Sequence, residues 1–178
     1  MRTLTIDIAE VKTMRHRHRF YKWLSLQFSG SIIVEMGTFK GNSTRSWAHN
    51  KTNIVLTYDI IDRSADTEYY FSRVHNVLSG VEDCNDVGPE WFSKVAIIYL
   101  DVSHNGDDEA LFLKRIDPYF KGILVMDDID SKKHYSKLYD FFNGLEREHH
   151  LLPLGIAAEY GTGVVPYGDW TVVVKEES

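Results

Sequence analysis

In four places an apolar run of this sequence ends in acid: Glu35 after Ile32-Ile33-Val34, Asp59 after residues 54–58, Asp101 after residues 95–100, and Asp127-Asp128 after residues 122–126. If these runs are strands of one sheet, their acids collect along one rim, and open α/β sheets bind ligands beyond the carboxyl ends of their strands. A carboxylate there can accept both hydroxyls of one ribose, and several together can ligate a hard cation. His104 stands three residues past Asp101. An imidazole so placed could take a proton near neutral pH, or could simply orient an acid or its loop. His134 is a second candidate to face the same pocket.

The stretch Ser31-Ile32-Ile33-Val34-Glu35-Met36-Gly37-Thr38-Phe39-Lys40-Gly41 says how the first acid is carried. It reads as a buried strand turning sharply into a helix that Asn42-Ser43-Thr44 opens. Glycines let such a turn close and let a ligand approach the backbone, and amides at the helix start would face that ligand. Glu35 would repel a pyrophosphate and suits a cationic or hydroxyl-bearing ligand. It also argues against a nicotinamide oxidoreductase, as does the missing Gly-x-Gly-x-x-Gly spacing. Asp59 follows Glu35 by 24 residues (59 − 35), close to the interval at which nucleoside-binding α/β folds carry the acid for ribose hydroxyls.

The elements that must position these groups alternate. Residues 8–28 carry apolar positions at roughly helical spacing and stop at Gly30. Strands are expected at 32–34, 54–58, 74–78, 95–100 and 122–126, the later ones apolar throughout as in a sheet covered on both faces. Helices are expected at 43–49, 65–73, 107–116 and 132–148, with a short helical turn at 89–92. Residues 151–157 and 170–174 read as a terminal strand pair, joined by a loop with a Gly-Thr-Gly turn at 161–163. The alternation implies a doubly wound, mostly parallel sheet with an antiparallel strand at one edge.

The 178 residues fit one domain, an N-terminal helical segment (1–29) leading into an α/β core (30–178). A net charge of −6 argues against sequence-independent nucleic-acid binding. The one cationic cluster, Arg15-His16-Arg17-His18-Arg19, reads as a solvated helix face, or else as a contact for a small anionic substrate or a membrane headgroup. The single cysteine, Cys84, excludes an intrachain disulfide and fits a reduced, cytoplasmic setting. No apolar run approaches a membrane span and no signal-peptide block is visible. Phe20, Tyr21 and Trp23 could pack on a second subunit in a homo-oligomer.

The ordered set Glu35-x-Gly37-x-x-x-Gly41, Asp59, Asp101 and Asp127-Asp128, with Ile98-Tyr99-Leu100-Asp101-Val102-Ser103-His104, resembles class I S-adenosylmethionine-dependent methyltransferases. The nearest likeness is to small-molecule O-methyltransferases of the macrocin and catechol types and their cephalosporin-hydroxylase-like relatives, over about residues 30–175. The resemblance implies a Rossmann-like seven-stranded sheet with an antiparallel last strand. It implies that Glu35, Gly37 and Gly41, with Thr38 and Ser43 of the same turn, cradle the methionine portion of the cofactor beside Asp101. Asp59 would hold the ribose, Ile60 would pack on adenine, and Gly80 and Val81, after the third strand, would flank the base. Metal-dependent members hold magnesium at positions matching Asp101, Asp127 and Asp128; loop and cap hydrogen bonds without metal are the alternative. Asp101 and His104 would be the catalytic pair, although Ser103 stands where some relatives carry an acid. The expected activity is methyl transfer to a hydroxyl of a small molecule or sugar. A non-catalytic cofactor-binding protein, or a subunit whose partner supplies the acceptor site, is the alternative.

Overall fold

The computed structural model describes residues 1–14, 16–71, 74–129, 135–152, 154 and 161–175. The chain opens with strand β1 (Arg2–Asp7) and helices α1 (Ile8–Thr13) and α2 (Arg17–Leu26). There follow β2 (Ile32–Met36), α3 (Asn42–Trp47), β3 (Ile54–Asp59), α4 (Ser64–Phe71) and β4 (Val77–Val81). A short 3-10 helix (Pro89–Lys94) leads into β5 (Val95–Leu100), α5 (Asp107–Ile116), β6 (Ile123–Met126) and α6 (Ser136–Asn143). The chain ends with β7 (His150–Leu152), β8 (Thr162–Pro166) and β9 (Trp170–Lys175).

Seven strands form one sheet in the order β4-β3-β2-β5-β6-β8-β7. All pairings from β4 to β6 are parallel, and β8, the sheet's last strand in the chain, is antiparallel to both neighbours. The strand order reverses between β2 and β5, whose ends carry Glu35 and Asp101. Alternate residues divide the core between two faces. Ile33, Val55, Ile97 and Tyr99 pack with Phe20, Tyr21, Leu24 and Trp47. Val34, Met36, Ile98, Leu100 and Met126 pack with Phe112, Ile116 and Phe142. Fully burying one such apolar side chain contributes about 1.5–3 kcal/mol, so covering both faces accounts for the continuous apolar runs.

Several expectations change. Residues 2–7 are not helical: Leu4 and Ile6 alternate inward and the strand pairs in parallel with β9. The expected terminal strand 170–174 therefore leaves the main sheet. The reversed strand is instead 162–166, and it lies second from the edge rather than at it. The turn expected at 161–163 gives way to this strand because Gly163 lets it press on Phe142: an added Cβ would lie 2.3 Å from that ring. Of the strand expected at 151–157, residues 153 and 155–157 lie outside the described residues. The strand expected at 74–78 is shifted to Val77–Val81, which puts Gly80 and Val81 within the strand rather than after it.

The N-terminal helical stretch is two helices, α1 capped by Asp7 and α2 by His16. Phe20 and Tyr21 are each 0% exposed inside the subunit, so they are not available to a second one. Helix α6 ends at Gly144, short of residue 148. Residues 132–134, including His134, and residues 72–73 at the end of the helix expected over 65–73, lie outside the described residues. So does Arg15 of the basic cluster. Among the described residues no helix is long and apolar enough to cross a membrane.

Candidate functional site at the carboxyl rim of the sheet

Beyond their ends β2, β3 and β5 stay tied together: Gly37 N–H donates to Tyr58 O at 2.7 Å, and Asp101 N–H donates to Met36 O at 2.9 Å. Gly37 has φ 102°, and an added Cβ would lie 1.8 Å from Asp101 O. Gly41 has φ 70°, and its Cβ would meet the Phe71 ring at 2.9 Å. Both glycines thus let the chain pack closely on itself.

Glu35 does not reach the cleft. On β2 it points with Ile33 to the face that α2 and α3 cover, 0% exposed. Its Oε2 accepts from Thr57 Oγ1 at 2.6 Å and from Thr44 Oγ1, while Oε1 has no hydrogen-bond partner among the described residues. Burial pushes its carboxyl up to about 7, against the hydroxyls of Ser43, Thr44 and Thr57. The expectation that this carboxylate grips a ligand is therefore corrected: it fastens the start of α3 beneath the β2 turn. Ser43 is buried with it. Thr38 is also buried, its hydroxyl 2.6 Å from Thr57 Oγ1.

Above this layer lies a cleft of about 510 Å³, within the range of small-molecule sites. Gly37, Asp59, Ile60, Asp101, His104 and Asp128, all candidates from the sequence, line it together. Asp59 at the end of β3 accepts from Phe39 N–H at 2.9 Å and Ile61 N–H at 3.1 Å, and Arg63 Nε lies 3.2 Å from its Oδ2. A carboxylate has about four lone-pair sites, and these contacts take three, leaving one beside the cleft. Ile60 is 69% exposed at the rim, an apolar surface ready for a flat ring. Gly80 and Val81 line a neighbouring 260 Å³ hollow instead, which shares only Asp59 and Arg63 with the main cleft.

The other end of the cleft holds a charged cluster. His104 Nε2 lies 2.9 Å from Asp101 Oδ1 and 3.6 Å from Asp128 Oδ2, with the ring stacked on Tyr135. Burial lowers the imidazole pKa, but Asp101 and then Asp128 raise it more, leaving it above its ordinary value. Asp127 is 2% exposed. Its Oδ2 accepts from Tyr99 Oη at 2.7 Å and lies 2.9 Å from Arg17 Nη1, which is also 2.5 Å from Asp128 Oδ1. Burial, then Asp101, raises the Asp127 carboxyl above the usual range, with Arg17 opposing. His104 and Asp128 both have φ 57° and Phe39 has φ 43°, all on the cleft. Left-handed backbone at non-glycine residues is costly and collects at functional sites.

The metal set Asp101, Asp127 and Asp128 does not fit this arrangement. Asp127 is 2% exposed, its Oδ2 already takes a guanidinium and a phenol, and its Oδ1 faces the buried Thr162 hydroxyl at 3.4 Å rather than the cleft cluster. Among the described residues, the candidate ligand atoms that do converge, within 4.8 Å of one another, belong to Asp101, His104 and Asp128.

Three residues that matter here were not singled out by the sequence. Arg17 lay inside the basic cluster, with nothing to mark it off from its neighbours. Tyr99 read as one more apolar strand residue. Glu109, 2% exposed, accepts from His104 N–H at 2.8 Å and Gly106 N–H at 2.7 Å, fixing the loop that carries the imidazole. Its signal was legible as a carboxylate three residues into a capped helix. Asn105, just before the Gly106 N-cap of α5, accepts from Asp107 and Asp108 N–H. Cys84 lines the cleft, and burial pushes its thiol up to about 12, toward the neutral form.

No family model and no curated protein matches the chain. Solved structures do resemble it. An O-methyltransferase from Bacillus cereus in complex with SAH superposes with a TM-score of 0.63 at 16% identity, over 85% of this chain and 80% of that one. A SAM-dependent methyltransferase from Aquifex aeolicus gives 0.63 at 14%, over 90% and 98%. An rRNA methylase from Streptococcus thermophilus gives 0.62 at 14%, over 86% and 98%. At such identities the likeness is one of fold, and the chain has the class I methyltransferase fold.

Proposed function

We propose that this chain, built on the class I methyltransferase fold, is an S-adenosylmethionine-dependent methyltransferase acting on a hydroxyl of a small molecule or sugar. The observation that carries the reading is the two-ended cleft. A carboxylate with spare acceptor capacity (Asp59) and an exposed apolar residue (Ile60) sit at one end, and a carboxylate–imidazole pair (Asp101–His104) at the other. S-adenosylmethionine, when bound, supplies an electrophilic methyl group on a sulfonium.

Asp59 would accept from ribose hydroxyls on its remaining lone pair, with Arg63 yielding its contact if both hydroxyls are taken. Ile60 would cover one face of the base. Asp101 would lie near the sulfonium and keep the His104 ring oriented. When an acceptor hydroxyl gives up its proton, His104 in its neutral form would take it, and Asp101 would steady the imidazolium that results. The magnesium assistance that the resemblance implied forms no part of this reading, because Asp127 is committed elsewhere.

The net charge of −6 and the acid-rich cleft favour a small acceptor over a nucleic acid, whose phosphates would be repelled. A single buried thiol suits a reducing compartment, so a cytoplasmic setting goes with this reading. Calorimetric titration with S-adenosylhomocysteine and, separately, NAD tests the cofactor: heat with the first alone is expected, and silence at millimolar concentration would refute it. A panel of catechols and sugars, followed by mass detection of methylated product, then tests the acceptor class.

A further inference from the structure

We propose that Arg17 supplies the positive charge of the acid cluster, so that this site works without a divalent metal ion and offers the acceptor oxygen a guanidinium instead. The second clause rests on the methyltransferase reading; the first stands on the cluster alone.

Arg17 opens α2, whose buried side locks into the core through Phe20, Tyr21 and Leu24. That packing delivers the guanidinium to the ends of β6, where a single nitrogen bridges Asp127 and Asp128 at 2.9 and 2.5 Å. Burial is the largest single influence and disfavours its charge, yet Asp127, Tyr21, Asp128 and Tyr99 together outweigh it and keep Arg17 protonated. Tyr99 and Thr162 complete the shell of Asp127 at 2.7 and 3.4 Å. An octahedral ion needs oxygens free to turn toward it at short range; Asp127 Oδ2 already takes two donors, and its Oδ1 lies buried beside Thr162.

Asp101, His104 and Asp128 are close enough to share an ion, but the carboxylates already face cations or donors: Asp101 lies against His104 and accepts from Tyr99, and Asp128 lies against Arg17. A divalent cation among them would sit beside a fixed guanidinium and be repelled by it. Arg17 also lines the cleft with a side chain 32% exposed. Nη1 makes both carboxylate contacts, and the guanidinium has further donors on Nε and Nη2. These can receive an acceptor oxygen as negative charge develops on it, the role that metal takes in other enzymes.

The test is a Mn²⁺ titration of the full chain followed by electron paramagnetic resonance, which needs neither cofactor nor turnover. Wild type is expected to bind no tighter than about millimolar, and Arg17→Ala at least about tenfold tighter, because its acids lose their counter-charge. Arg17→Lys keeps the charge and should behave as wild type. Micromolar binding by wild type overturns the proposal, and so does Arg17→Ala binding no better than wild type or Arg17→Lys binding as tightly as Arg17→Ala. If Arg17→Ala does not fold, the wild-type and Arg17→Lys titrations still decide. Failure to bind S-adenosylhomocysteine would sink the functional reading and leave the Mn²⁺ result standing. In turnover, Arg17→Lys should raise the acceptor KM several-fold more than the cofactor KM; equal effects would remove the acceptor-binding role.

Discussion

The Tyr99 phenol donates to Asp127 Oδ2 at 2.7 Å across the β5–β6 ladder, and neither side chain is more than 2% exposed. The same ring packs against Tyr21 and Trp47, so its removal can be confined to the hydroxyl. Tyr99→Phe should keep that packing and leave a buried carboxylate one donor short. The expected loss is about 1–3 kcal/mol in urea unfolding, and wild-type stability would show that the hydroxyl contributes nothing.

Glu35 gives the fold a pH dependence of its own. Its carboxyl ionises near the ordinary 4.5 when unfolded but only at about 7 when folded. The unfolded chain therefore binds fewer protons across that interval, and stability falls as pH rises through it, by roughly 3 kcal/mol. Glu35→Gln should flatten this slope. Urea unfolding of both proteins at pH 5 and pH 8 checks it, and parallel losses in the two would place the titration elsewhere.

Gly37 is held closely by the chain. Gly37→Ala puts a Cβ 1.8 Å from Asp101 O at φ 102°, where no side-chain rotation gives relief. A destabilisation of at least about 3 kcal/mol is expected. A variant melting within a few degrees of wild type would mean that β2 and β5 have room to part.

Asp59→Ala removes the acceptor meant for ribose and frees the Phe39 amide. Affinity for S-adenosylhomocysteine should drop at least about tenfold, near 1.4 kcal/mol. An unchanged titration would mean that the nucleoside lies elsewhere.

His104 occupies left-handed backbone, which asparagine tolerates better than most residues. His104→Asn should lower kcat by about 10²–10⁴ with little change in cofactor KM. Asp101 and Asp128 hold the wild-type imidazole pKa above 6.5, so turnover should climb with pH past neutrality as the free base accumulates. The contribution of the ion pair to stability has the opposite sense: it is present below pH 6.5 and fades as pH passes the raised value. A flat pH profile from 6 to 9 in wild type would exclude His104 as the base.

Part of this site was legible along the chain. Asp59, Ile60, Asp101, His104 and Asp128 were grouped by their places after apolar runs, and all line one cleft. Glu35 shared that signal and was misplaced, because side chains alternate across a strand and a one-residue difference in facing sends a carboxylate under the sheet instead of over it. Gly80 and Val81 were read a few residues late, since a half-exposed edge strand such as β4 has weak apolar patterning.

The sequence by itself determined the buried parallel strands, their helical crossovers and the acids at their ends, because burial on two faces leaves a continuous apolar run that no other element needs. Tertiary structure alone decided that Arg17 answers Asp127 and Asp128 from more than a hundred residues away, that β1 pairs with β9, and that β8 enters between β6 and β7. Those choices come from charge neutralisation and backbone pairing between distant segments. Such contacts depend on where the packed helices and sheet bring each group, and they leave no periodic trace in the chain.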